Sequence, residues 1–303
     1  ARVYYQMTDY GQALRHYGKI RRTSEIWLQS IFEGAWTFFL MDKPNNTLGL
    51  IHTLLSPFFN DRFYPEAHIL QAISYVKMCR YEEAKDALKY FRKTYDDVKK
   101  DTQSFLKSIP LTKNKKRDTS NLFKVLFKYR LNRAKKHKNI FRVVVAATST
   151  DDYKKVSKTI LVSNRELSVI GKRFSSKKFS KIRKQLIRFL KKKKVSAMRW
   201  SGMGLYKNIN ISNNYLNELY EQVKLIEAEL MVGEVSEMRD KISGKTKSSK
   251  DTFIGGMQEI KLGQRLEYWP VSKVREAEDF PDRYEWWEDE LGFYVYNLTT
   301  QCK

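Results

Sequence analysis

The chain has 303 residues, 42% hydrophobic and 14% aromatic, with 58 Lys and Arg against 34 Asp and Glu, a net charge of +24. That length and apolar content allow one good core or two smaller ones, and the scarcity of glycine (13) and proline (6) argues against a many-stranded sheet and for long helices. No run of 18 apolar residues exists, so no membrane-spanning helix is expected within this sequence.

The charge is localised. Residues 97–200 hold 32 Lys and Arg against 6 Asp and Glu, whereas the remainder holds 26 against 28, so the middle third carries the whole excess and reads as a separate module. The two cysteines lie far apart. Cys79 is expected to be a small buried apolar residue at a helix end, and Cys302 lies in the terminal tail. Neither suggests a disulfide framework or a metal site, and both redox compartments stay open.

In chain order, Tyr10, Ala13, Leu14 and Tyr17 share one helical face. A helix over about 24–41 carries Trp27, Ile31, Phe32, Ala35, Trp36, Phe38 and Phe39. Pro65 and Glu66 open the next helix, since proline loses nothing at the first helical position and an acid suits the positive end of the dipole. After a break at Arg80 and Tyr81 a further helix buries Ala84, Ala87, Leu88, Phe91 and Tyr95. Aligning Ala13, Gly49 and Ala84 gives spacings of 36 and 35, with Asn46 where the other two copies have tyrosine. A period near 34 with small residues at helix crossings predicts stacked helical hairpins.

The basic module reads as long helices. Tyr153, Val156, Ile160, Ser163, Leu167, Ile170 and Phe174 alternate at steps of three and four, as do Phe179, Ile182, Leu186 and Phe189, and then Leu216, Leu219, Val223, Ile226 and Leu230. These stripes predict an antiparallel coiled-coil hairpin: a basic helix over 151–194, a turn through 201–214 containing Gly202 and Gly204, and an acidic return over 214–242. A helix over about 119–142 precedes it, and FRVVVAATS reads as a helix end or turn. Residues 243–258 read as a flexible linker, and 259–303 as a small aromatic module with short strands at Leu266–Val271 and Phe293–Leu298.

The phase over residues 1–96 resembles tetratricopeptide repeats. RVYYQMTDYGQAL, FEGAWTFF, LGLIHTLLSPFF and the terminal EYWP…YEWWEDELGFYVYNL further resemble large repeat proteins of predatory and gliding deltaproteobacteria. The implied fold is all-α: three tetratricopeptide-like hairpins, the first lacking most of its leading helix and so expected to continue upstream of Ala1, then the basic arm over 97–242, the linker and the aromatic module. The resemblance implies a non-enzymatic scaffold of a multi-subunit cell-envelope complex, of the kind tied to motility or surface appendages, in the periplasm or on the inner face of the outer membrane, with the cytoplasm as the alternative.

Candidate partner-binding residues are Trp27, Trp36, Tyr64 and His68 on the repeats and Trp286 and Trp287 in the terminal module, where aromatics serve as interface anchors. Lys135, Lys136, Lys138 and Lys191 to Lys194 are candidates for an anionic surface, either lipid head groups or cell-wall polymer. Nucleic acid is the competing target for the same charge. Neither a catalytic constellation nor a cofactor is expected: GKTKSS has Arg239 where a phosphate loop needs glycine, and the four histidines show no ligand spacing.

Overall fold

A computed structural model describes residues 1–112, 117–119, 121–126, 138–173, 177–243 and 290–302. These residues are predominantly helical, with no strand among them. FRVVVAATS is helical, forming α7 (Phe141–Thr148). The expected strand Phe293–Leu298 is not one, and Leu266–Val271 lies outside the described residues. The chain divides into two compact units: Ala1–Asn60, Tyr64–Thr94 and Glu218–Lys303 form one, Asp61–Phe63 and Tyr95–Asn217 the other.

The first unit is built on α1 (Arg2–Gln6), α2 (Tyr10–Gly18), α3 (Trp27–Leu40), α4 (Pro44–Leu54), α5 (Glu66–Lys77) and the start of α6 (Tyr81–Ser108). They pair as three hairpins, α1 with α2, α3 with α4, and α5 with α6. The same turn closes all three. Thr8, Asp42 and Cys79 each take a left-handed φ, of 60°, 58° and 55°. The residue after each returns a backbone bond to the closing turn of the leading helix: Asp9 N to Tyr4 O, Lys43 N to Phe38 O and Arg80 N to Tyr75 O, at 2.9, 3.0 and 2.9 Å. This is the Schellman closure of a helix end, made here without glycine.

These turns reset the internal alignment. Five residues after each left-handed residue stand Ala13, Thr47 and Ala84, all fully buried. The second copy's small position is therefore Thr47, not Gly49, and Pro44, not Asn46, occupies the place of Tyr10 and Tyr81. Thr47 fits because its hydroxyl is absorbed by the Ala35 and Lys43 carbonyls at 3.3 and 3.1 Å. Asp9 caps α2 by accepting from the Gln12 amide at 3.1 Å. The five residues of α1 are tied to α3 by Arg2, whose guanidinium meets the Glu33 carboxylate. Burial works to raise the Glu33 pKa, but the hydrogen bonds from Arg2 and Tyr17 prevail and hold it below the ordinary carboxylate value.

Beyond the third hairpin the outer face of α6 is covered by the end of α9 (Ser180–Ser243). Leu219, Val223, Ile226 and Leu230 are buried there, and Tyr220 packs on Phe91 with ring centroids 5.0 Å apart. Arg92 donates to both oxygens of Glu227 at 2.9 and 2.8 Å, and Lys85 pairs with Glu234. The acidic side of this helix thus meets the repeats; it was expected to meet a basic partner helix.

In the second unit, α8 (Asp151–Arg173) buries Tyr153, Ile160, Ser163 and Ile170, the seam read from the sequence. Helix α9 then runs unbroken for 64 residues through the stretch expected to turn. Leu205, Ile209, Asn213 and Leu216 continue one buried line across 201–214, and no proline interrupts it, so helical burial outweighs the two glycines. Gly202 has a packing role instead. A Cβ there would lie 2.1 Å from the Thr119 carbonyl oxygen, whereas one at Gly204 would meet nothing within 4 Å. Gly202→Ala should accordingly lower the stability of this unit by about 1 to 3 kcal/mol, while Gly204→Ala should be neutral or stabilising by up to about 1 kcal/mol. Thermal melts of the two variants check this, and equal behaviour would remove the assigned approach to Thr119.

Candidate functional site

The candidate site is the bed that α3 and α4 offer to the C-terminal residues 290–302, and it is already filled. Leu291 and Tyr294 belong to the hydrophobic core with Trp27, Ile31, Leu50 and Leu54. The Gly292 amide donates to the Thr53 hydroxyl at 2.8 Å, and the Tyr296 amide donates to the Asn45 carbonyl at 3.1 Å. Four strap residues therefore span eight helical ones. Eight residues of helix rise about 12 Å, so the strap advances about 3 Å per residue, the rise of an extended chain. It runs opposite to α4.

Asn45 reads this backbone on both sides. Its amide nitrogen donates to the Leu298 carbonyl at 3.0 Å, and its oxygen accepts from the Leu298 amide at 3.1 Å. Past α4 the strap crosses to the α5–α6 turn. Arg80 donates to the Thr299 carbonyl at 3.2 Å, and the Gln301 amide donates to the Met78 carbonyl at 2.8 Å. Cys302 then forms a disulfide with Cys79, their Cα atoms 5.0 Å apart. This corrects the expectation for both cysteines: Cys79 is half-buried and bonded, and the tail is anchored.

Two glycines permit the approach. A Cβ on Gly49 would lie 1.8 Å from the Tyr294 carbonyl oxygen. Gly292 has φ +93°, and a Cβ there would meet the Trp27 ring at 3.0 Å. On the same face the His52 ring stacks edge-on to Tyr294, centroids 4.7 Å apart, and its Nδ1 lies 3.2 Å from the Tyr296 hydroxyl.

The sequence-predicted partner residues do not form one exposed surface. Trp27 is buried under the strap and beside Phe59, and His68 is buried against Phe91. Trp36 and Tyr64 are half-buried, against Phe39 and Phe32 respectively. Burial pushes the Glu66 carboxyl above its ordinary value, opposed by a hydrogen bond from Trp36. Trp286, Trp287, Lys135 and Lys136 lie outside the described residues, and Lys138 opens a single helical turn, Lys138–Ile140. Lys191 to Lys194 stand on α9, the first three exposed and the fourth half-buried.

Sequence reasoning missed Asn45, Thr53, Gly49 and Cys79, the residues that hold the strap. The one signal available was the glycine inside α4, a position where alanine would suit a helix better. Comparison with known proteins finds no matching family model, no matching curated protein and no matching solved structure. Among the described residues no group of three His, Cys, Asp or Glu side chains is placed to hold a metal ion, and no helix is long and apolar enough to cross a membrane.

Proposed function

We propose that the chain is a non-enzymatic scaffold of a bacterial cell-envelope complex, built on tetratricopeptide-like hairpins that hold an extended peptide. The observation that carries this reading is the seating of residues 290–302 along α4. Asn45 and Thr53 address the main chain of the bound segment, while Leu291 and Tyr294 fill the core beneath it. Main-chain bonds supply affinity and alternate side chains supply selectivity, the division of labour in extended-peptide recognition. The Cys79–Cys302 bond supports an oxidising compartment, in keeping with the periplasm.

The test uses a chain ending at residue 289 with Cys79→Ser, titrated with a labelled peptide of residues 290–302. Saturable binding, weakened at least tenfold by Asn45→Ala, is expected. The same chain and the intact one serve as baits in detergent-solubilised envelope, with and without nuclease. Envelope proteins retained after nuclease support the scaffold; a peptide that fails to bind, or a catch consisting of nucleic acid alone, overturns it.

A further inference from the structure

The second of the three-four stripes read from the sequence is exposed among the described residues. Tyr153 to Ile170 and Leu216 to Leu230 are buried seams, but Ile182, Leu186 and Phe189 face outward at 54%, 39% and 62% exposure, and Trp200 at 69%. At 3.6 residues per turn Ile182, Leu186, Phe189, Trp200 and the exposed Ile211 fall within about 40° of a single line along α9. The line through buried Leu190, Ser201, Leu205 and Ile209 lies about 120° away. The stripe is therefore a second face, separate from the one that anchors the helix.

Its charge is of one sign. No acidic residue occurs between Glu166 and Glu218, a stretch with 14 lysines and arginines. Lys193 and Lys207 stand within the stripe, and Lys181, Arg188, Lys192 and Arg199 form the adjoining row, all exposed. Two such faces brought together would set cation against cation, which disfavours a second copy as the occupant. A polyanion alone, whether nucleic acid or cell-wall polymer, would satisfy the lysines and leave Phe189 and Trp200 in water. An interface that is apolar a few ångströms below a layer of phosphates satisfies both.

We propose that this face of α9 docks on an anionic phospholipid bilayer, lying in the plane of the head groups. Phe189, Ile182, Leu186 and Trp200 enter the acyl boundary, and the lysine stems reach back to the phosphates. A basic helix with Phe, Trp and Leu on its other face has the composition of an interfacial helix. This inference is independent of the strap, since residues 180–211 lie in the second unit.

The oxidised full chain is sedimented with vesicles of phosphatidylglycerol mixed into phosphatidylcholine, and with pure phosphatidylcholine. Binding to the anionic vesicles only is expected, with a blue shift in tryptophan emission that Trp200→Phe reduces. Phe189→Ser with Trp200→Ser should weaken partition about tenfold, and so should glutamine at the exposed Lys181, Arg188, Lys192 and Lys193. The changed residues are surface ones, and circular dichroism melts verify that both variants fold. No binding to anionic vesicles, or binding indifferent to the Phe189 and Trp200 changes, overturns the proposal. So does a dimer in sedimentation equilibrium that Trp200→Ser dissociates.

Discussion

Serine at Cys79 and Cys302 together should lower the stability of the first unit by about 2 to 4 kcal/mol. The bond joins residues 223 apart, so it closes a very long loop in the unfolded chain; loop entropy alone would allow about 5 kcal/mol. Less is expected, because the strap keeps other anchors. Leu291 and Tyr294 stay in the core, and Asn45 and Thr53 still bind its backbone. What the bond adds is greatest at the far end, where, among the described residues, Thr299 and Gln301 bond to Arg80 and Met78. Reduction should therefore open the strap from Cys302 backward. Amide exchange at Gln301 and Leu298 should accelerate by about 30- to 700-fold in dithiothreitol, the factor that about 2 to 4 kcal/mol allows, ahead of that at Gly292. Identical melting and exchange with and without reductant would show that the disulfide does not hold the strap.

The hairpins were legible because their apolar residues recur at helical spacing and because small residues mark the crossings. Ala13, Ala84, Phe91 and Tyr95 are all buried as read. The alignment of the middle copy was not legible, since matching by residue size selects Gly49, whereas the chain's own marker is the left-handed residue. Thr8, Asp42 and Cys79 share no side-chain chemistry, so nothing in composition links them. The seams of α8 and of residues 216–230 were visible, but periodicity reports a face without saying what meets it. Ile182 and Phe189 have the same spacing as Leu219 and Ile226, and only the second pair is buried.

The unbroken course of α9 was hidden for a related reason. Two glycines among serines and asparagines read as a turn, and only the close passage of Thr119 explains Gly202 within a helix. FYVYNL shows a strand's alternation, and its rise along α4 is that of extended chain, yet its partner is a helix. The signal was for conformation, and pairing was inferred from it. A disulfide across 223 residues leaves no local trace at all, since only the fold brings the two Cα atoms within reach.

Gly49→Ala separates these readings most sharply. In an ordinary helix interior that change stabilises by about 0.5 to 1 kcal/mol, because glycine sacrifices more backbone freedom on folding. Here the new Cβ would stand 1.8 Å from the Tyr294 carbonyl oxygen, 2.4 Å from its carbon and 2.9 Å from the Val295 Cα. All three are backbone atoms of a segment fixed on either side by Thr53 and Asn45, so no side chain can rotate away. The strap must lift, and lifting it withdraws Tyr294 from the core and breaks its contact with His52. The full chain should lose about 1 to 3 kcal/mol. In a chain that ends at residue 289 the obstacle is gone, and the same substitution should stabilise. A reversal of sign between the two backgrounds is the expected result, read from paired thermal or urea melts. Destabilisation in both would return Gly49 to the crossing between helices, as its alignment with Ala13 and Ala84 implied. Stabilisation in both would mean that residues 290–302 do not rest on α4. With the reversal, the glycine in α4 is explained by the peptide it admits, and the bed on α3 and α4 is a site shaped for extended chain.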